Sequence, residues 1–224
     1  MQAETTAKEL KKEFQITLSK LSHEIRNPIA LINSELQLIA DSHPELCRCR
    51  QWDSLMDNLE YVKELLNEIS DLSHAGMIFP VPVYPNEFLN SVLSCEKTTL
   101  DYLGITLETH LEKIPYTVSL DRVKMRQALF NLIRNSCEAI DHPKGKITVR
   151  LERYNQGICI SIEDNGCGMT PEQIKNIFSP FVTYKATGTG LGLAVTYDII
   201  SAHQGHITVD SRPDHGSIFR LFLA

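Results

Sequence analysis

Apolar positions between residues 5 and 75 recur at spacings of three and four. The first stripe is Phe14, Leu18, Leu21, Ile25, Ile29, Ile32, Leu36 and Ile39, the period of an amphipathic helix. Asp41-Ser42-His43-Pro44 breaks it. A second stripe, Leu55, Leu59, Val62, Leu66, Ile69 and Leu72, then takes over. The pattern predicts an antiparallel helical hairpin. Two such helices cannot cover their own apolar stripes, so the expected assembly is a homodimer through residues 10–75, closing a four-helix bundle.

The next segment, Met77 to Pro85, carries three prolines and no helical period, and reads as a linker. The expected division is therefore 1–76 for the hairpin, 77–85 for the linker and 86–224 for a second domain. There the pattern is mixed. A helix is expected over 86–103 with Asn86 as its N-cap, then strands over 105–111 and 116–119. Asp121 caps a strong helix to about Ile140. Strands over 147–153 and 158–163 flank the turn Asn155-Gln156-Gly157. Thr170-Pro171 starts a short helix. A glycine-rich run at 188–192 opens a longer one to about Ala202, and strands over 206–211 and 217–223 close the chain. Strands in adjacent pairs, interleaved with helices, argue an α+β sandwich with one mixed sheet and helices on one face.

Composition narrows the class. A net charge of −6 disfavours nucleic acid as a partner, since binding to it runs on phosphate neutralisation. No apolar run approaches the roughly 18–20 residues of a membrane helix, and the first residues show no signal-peptide core. The six cysteines do not read as a disulfide framework, because a chain of this length builds a core without staples. Cys137 and Cys159 fit as small hydrophobes, and Cys47-Arg48-Cys49 lacks the second pair that zinc needs. A cytoplasmic location fits best.

Four clusters carry candidate chemistry. In Ser22-His23-Glu24-Ile25-Arg26-Asn27-Pro28, His23 lies two positions from both Leu21 and Ile25, so about 100° per residue puts it opposite the apolar stripe. Asn27 is one turn along and Glu24 adjacent. An exposed imidazole beside a carboxylate suits a nucleophile and its base. Pro28 costs a backbone hydrogen bond in mid-helix and should bend it. The competing reading is an ordinary surface histidine.

Asn131 and Asn135 stand at i and i+4 on one helix face, and amide oxygens suit Mg²⁺; two solvent-facing polar residues are the plainer alternative. Asp164-Asn165-Gly166-Cys167-Gly168 follows an apolar strand. It reads either as a turn or as a carboxylate accepting from an adenine amino group. Last, Lys185-Ala186-Thr187-Gly188-Thr189-Gly190-Leu191-Gly192 offers backbone N–H groups to an anion at a helix start. It fits neither the dinucleotide fingerprint nor the P-loop. Residues 182–187 leave room for a short lid with Lys185 as its cation.

Taken in order, Ser-His-Glu-Ile-Arg-Asn-Pro, Asn-x-x-x-Asn, Asp-x-Gly-x-Gly, Phe-x-Pro-Phe (Phe178 to Phe181) and Gly-x-Gly-x-Gly resemble the catalytic core of two-component sensor histidine kinases. The likeness runs from about residue 10 to the C-terminus, and the short lid looks most like the sporulation-type kinases. It implies ATP and Mg²⁺ as cofactors and a second domain of the gyrase/Hsp90/histidine-kinase ATP fold. His23 is then the phosphoacceptor and Glu24 its base. Asn27 lies near the transferred group, where it either orients water for a reverse phosphatase reaction or is a polar residue placed by its proline. Asn135 is the Mg²⁺ ligand. Asn131 lies beside the phosphates, and Arg134 compensates where Glu138 replaces the basic residue of many relatives. Asp164 reads adenine in a pocket shaped by Gly166 and Gly168. Gly188, Gly190, Leu191 and Gly192 form the phosphate cradle, with Lys185 and Thr189 assisting. Ser136 stands for the usual Ala, and His203-Gln204-Gly205 for a common His-Gly-Gly.

The implied activity is autophosphorylation of His23 and transfer to the aspartate of a response-regulator receiver domain docking near His23. Regulatory proteins on the hairpin are a further implied class of partner, and a longer, membrane-tethered parent is compatible. Two rivals remain: an ATP hydrolase of the gyrase or Hsp90 class, and a non-enzymatic dimeric scaffold.

Overall fold

The computed structural model describes residues 2–185 and 188–224, with side chains from residue 13 onward. It divides into two compact units, Met1–His74 and Ala75–Ala224.

The first unit is a helical hairpin. Helix α1 spans Gln2–Ser42 and α2 spans Arg50–His74, joined through a single 3₁₀ turn at Leu46–Arg48. Polar groups fix the antiparallel register. Ser22 Oγ donates to the Leu66 carbonyl at 2.9 Å in a buried setting. Lys63 Nζ donates to Asn33 Oδ1 at 3.1 Å, and Arg26 Nη2 to Asn67 Oδ1 at 3.3 Å. The apolar stripe of α1 divides into two. Leu18, Ile29 and Leu36 are half-buried and Ser22 is buried. Phe14, Leu21, Ile25, Ile32 and Ile39 are 39–48% exposed.

The second unit begins earlier than its composition suggests. Within the expected linker, Val81–Val83 forms β1 and pairs antiparallel with β3, Val118–Leu120. Pro82 is tolerated because this two-stranded sheet is all edge. The Phe79 N–H also donates to Asp121 Oδ2 at 2.7 Å, so the proline-rich segment is fastened to this unit. Helix α3, Pro85–Tyr102, starts with proline at its first position and Tyr84 as N-cap, not Asn86. The Asn86 side chain is engaged elsewhere: it accepts from the Ile114 N–H at 2.9 Å and donates to the Glu112 carbonyl at 3.0 Å. The strand expected at 116–119 is displaced to 118–120, its partner fixing the register.

The main sheet has five strands: β2 (Thr106–Leu111), β4 (Lys146–Tyr154), β5 (Gly157–Asp164), β6 (His206–Ser211) and β7 (Ser217–Leu223), in the order β2-β4-β5-β7-β6. Only the β2–β4 pair is parallel. Its buried face comes from Ile147, Val149 and Leu151, Ile158, Ile160 and Ile162, and Phe219, Leu221 and Leu223. Helix α4, Arg122–Ala139, buries Met125, Ala128, Leu129, Leu132, Ile133 and Ser136. The short α5 spans Pro171–Asn176, with Thr170 in a capping box. Helix α6 spans Gly192–Ala202 and buries Ala194, Val195, Ile199 and Ile200. Among the described residues no helix is long and apolar enough to cross a membrane, and all six cysteines are free. Cys159 is buried as expected, whereas Cys137 is half-buried, with burial pushing its thiol up to about 11.

Candidate active site

On the hairpin, His23, Glu24 and Asn27 are all exposed on α1. The helix runs on through Pro28, whose missing N–H is the one that would bond to the Glu24 carbonyl. The buried neighbour of the histidine is Ser22, locked to α2.

In the second unit α4, the end of β5 and the start of α6 meet. Asp164, the last residue of β5, is buried. Its Oδ1 accepts from the Gly166 N–H at 2.9 Å and its Oδ2 from the Ser136 hydroxyl at 3.3 Å. Burial pushes its carboxyl above the usual range; the Gly166 and Ser217 N–H groups, the Ser136 hydroxyl and the Lys185 charge oppose this without cancelling it. Gly168 has φ +67, and a Cβ there would lie 1.9 Å from the Arg212 carbonyl oxygen. Only glycine fits so close to the 211–217 connection. An anchored, desolvated carboxylate under a glycine loop is a hydrogen-bond acceptor ready for an amino group.

Asn131 donates from Nδ2 to the Gly192 carbonyl at 3.0 Å, tying α4 to the first residue of α6. No side chain caps the N-terminus of α6 at Leu191, so its first N–H groups suit an anion. Gly190 has φ +72, and a Cβ there would come within 2.6 Å of the Val182 carbonyl oxygen; the Phe181 N–H donates to the Gly190 carbonyl at 3.0 Å. The cradle is thereby packed against the start of the lid. Thr189 Oγ1 accepts from the Leu191 N–H at 3.3 Å. Of the lid, Ala186 and Thr187 lie outside the described residues. Gly188 follows them.

Lys185 reaches across to α4. Its ammonium donates to Asn135 Oδ1 at 2.9 Å and to Glu138 Oε2 at 2.5 Å. Arg134 Nε donates to the other carboxylate oxygen of Glu138 at 2.8 Å. Burial pushes the Glu138 carboxyl up, but the hydrogen bonds and charges of Lys185 and Arg134 outweigh it and leave it below its ordinary value. Asn135 and Glu138 thus already converge on one cation with hard oxygen donors, the set Mg²⁺ prefers when waters and phosphates complete its shell. Among the described residues no three His, Cys, Asp or Glu side chains converge.

The expected residues therefore fall into two groups: His23, Glu24 and Asn27 on the hairpin, the rest in the second unit. Sequence reasoning undervalued Ser136 and Glu138. The signal for Ser136 was a polar residue on the buried stripe of α4, where Ala128, Leu129 and Leu132 precede it.

Residues 15–77 match the His Kinase A (phospho-acceptor) domain. Residues 120–224 match the histidine kinase-, DNA gyrase B- and HSP90-like ATPase family. The chain belongs to the protein-histidine kinases of two-component signalling. It is similar to the signal transduction histidine-protein kinase AtoS of Escherichia coli, at 31% identity over 92% of this chain and 34% of that protein. It is similar to sporulation kinase B of Bacillus subtilis at 31% identity over 92% of this chain and 48% of the relative. The chain thus spans between a third and a half of the length of these relatives. A crystal structure of histidine kinase ThkA with the response regulator TrrA shares the fold, at TM-score 0.68 and 23% identity, covering 100% of this chain and 66% of that one.

Proposed function

We propose that the chain binds Mg²⁺-ATP in its second unit, phosphorylates itself on His23 and passes the phosphoryl group to an aspartate of a response-regulator receiver domain. The observation that carries this reading is the presence in one chain of an exposed His23 beside Glu24 and a nucleotide pocket with a buried Asp164 acceptor and an uncapped α6 N-terminus.

The imidazole of His23, in its neutral form, attacks the γ-phosphorus with one ring nitrogen. The bond from the γ-phosphorus to the bridging oxygen breaks and ADP leaves. The proton on the other ring nitrogen passes to Glu24. Bound Mg²⁺ supplies charge neutralisation on the phosphates, with Asn135 holding it. Asp164 accepts from the adenine amino group. Gly188, Gly190, Gly192 and Lys185 bind the phosphates, and Asn131 keeps the cradle against α4. Phosphoryl transfer asks for this kind of positioning more than for covalent help. The exposed row Phe14, Leu21, Ile25, Ile32 and Ile39 is the surface for a second copy, and the exposed face around His23 the surface for the receiver domain. Its use of ATP supports a cytoplasmic location for the chain, and the part of its relatives that it does not span leaves room for a sensor and a membrane tether.

The hydrolase reading is supported less well: the gyrase- and Hsp90-type ATPases carry a water-activating glutamate near the place where this chain has Asn131, an amide cannot act as a base, and its Nδ2 donates to the Gly192 carbonyl.

Incubation with γ-labelled ATP tests the proposal. The expected product is acid-labile, base-stable label on the protein, absent in His23→Ala although nucleotide still binds. Free phosphate released without labelled protein would overturn it.

A further inference from the structure

The Lys185 ammonium sits between Asn135 Oδ1 and Glu138 Oε2, a position that the metal reading assigns to a different cation. Asn135, Glu138 and Arg134 lie on one face of α4, at spacings of three and four. Arg134 pins one carboxylate oxygen of Glu138, which leaves Oε2 directed at the space in front of Asn135. When Mg²⁺ takes the Asn135 oxygen, the ammonium must leave, and the incoming phosphates give it a partner. Glu138 keeps a partner beside the site, because Arg134 still donates to its other oxygen.

A carboxylate fixed beside a polyphosphate repels it at short range in a partly desolvated site. The arrangement becomes favourable once a divalent cation stands between the two. We infer that Glu138 is a second protein ligand of the nucleotide-bound Mg²⁺, acting through Oε2, and that Lys185 holds the metal's place until the metal arrives. This rests on the nucleotide reading above, and it assigns a metal-binding role to a residue which the family resemblance leaves without one.

The test uses the full chain with Mn²⁺ as a spectroscopic probe. Mn²⁺ is titrated into protein saturated with ADP and followed by electron paramagnetic resonance, while ADP affinity is measured separately in Mg²⁺ and in EDTA. Glu138→Gln should weaken Mn²⁺ binding to the protein–ADP complex by about tenfold or more, the scale of losing a metal-site carboxylate. Its ADP affinity in EDTA should stay the same or tighten, which also shows that the variant is folded. Glu138→Lys should tighten ADP binding in EDTA and abolish the gain from Mg²⁺. Mn²⁺ affinity within twofold of wild type in Glu138→Gln overturns the inference. So does an equal loss of ADP affinity with and without metal, which marks a structural role. Wild-type protein that binds no ADP at all overturns the nucleotide reading itself, an outcome visible before any variant is made.

Discussion

His203 Nε2 accepts the backbone N–H of Asp121 at 2.9 Å across 82 positions of sequence. The other ring nitrogen, Nδ1, faces the Ile199 carbonyl at 2.8 Å and so carries the proton. Asp121 in turn caps α4, with Oδ1 accepting from Val123 and Lys124 and Oδ2 from Phe79. Burial raises its carboxyl, but these N–H groups outweigh that and hold it below its ordinary value. Asp121 thus joins the proline-rich entry segment to the helix that carries the asparagines, and His203 ties that junction to the end of α6.

Replacing His203 by Ala strands a buried N–H, at a cost of ~1–3 kcal/mol. The expected fall in Tm is about 3–8 °C, with ADP affinity within twofold of wild type. Calorimetry and nucleotide titration check both, and an unchanged Tm would show that water replaces the ring.

The Asp164 carboxyl titrates above its ordinary value because it is buried. The folded unit therefore holds that proton more readily than the unfolded chain does. The cost of ionising it is absent below the unfolded pKa, grows as pH rises toward the folded one and is complete above it. Asp164→Asn should remove that cost, raising the Tm of nucleotide-free protein at pH 7 relative to wild type. The same change should weaken ATP binding at least about tenfold, the worth of a charge-assisted hydrogen bond. Parallel loss of stability and affinity would contradict this account.

The exposed apolar row on α1 predicts its own experiment. Ile25 and Ile32 are each close to half exposed in the single chain, and burying the remainder of such a side chain contributes on the order of 1 kcal/mol. The double change Ile25→Asp, Ile32→Asp should convert a dimer into a monomer in sedimentation at micromolar concentration while leaving ATP binding intact. A dimer that survives both charges would place the interface elsewhere.

The strong periodicities were legible: both hairpin helices, the Asp121 cap, the Asn155 turn and the Thr170-Pro171 start follow from short-range rules. The misses are long-range. Asn86 has the chemistry of a cap, but its side chain is claimed by the 112–114 connection, which no local window reveals. The proline-rich segment acquires a strand only because Val118–Leu120 lies beside it. A single apolar stripe on α1 could not show which of its residues meet α2. At the site, motif spacing singled out Asp164, Asn135 and the glycines. That Ser136 braces Asp164 and that Lys185 rests on Asn135 depend on contacts between elements 28 and 50 residues apart.

Asn27 carries the last prediction. It is exposed on the same helix as His23, one turn on, beside a proline that deprives the Glu24 carbonyl of its helical donor. An amide can orient water or a phosphoryl oxygen by hydrogen bonding but cannot take its proton. In the proposed mechanism autophosphorylation takes its nucleophile from His23 and its base from Glu24, so it needs little from Asn27. Removal of phosphate from a receiver aspartate needs a directed water, which an exposed amide near the histidine can supply. Asn27→Ala should therefore slow dephosphorylation of a purified phosphorylated receiver domain by about tenfold or more, on the scale of losing one positioning group, and change the autophosphorylation rate by no more than a few-fold. A phosphatase rate within twofold of wild type would reduce Asn27 to a polar residue whose conformation its proline sets.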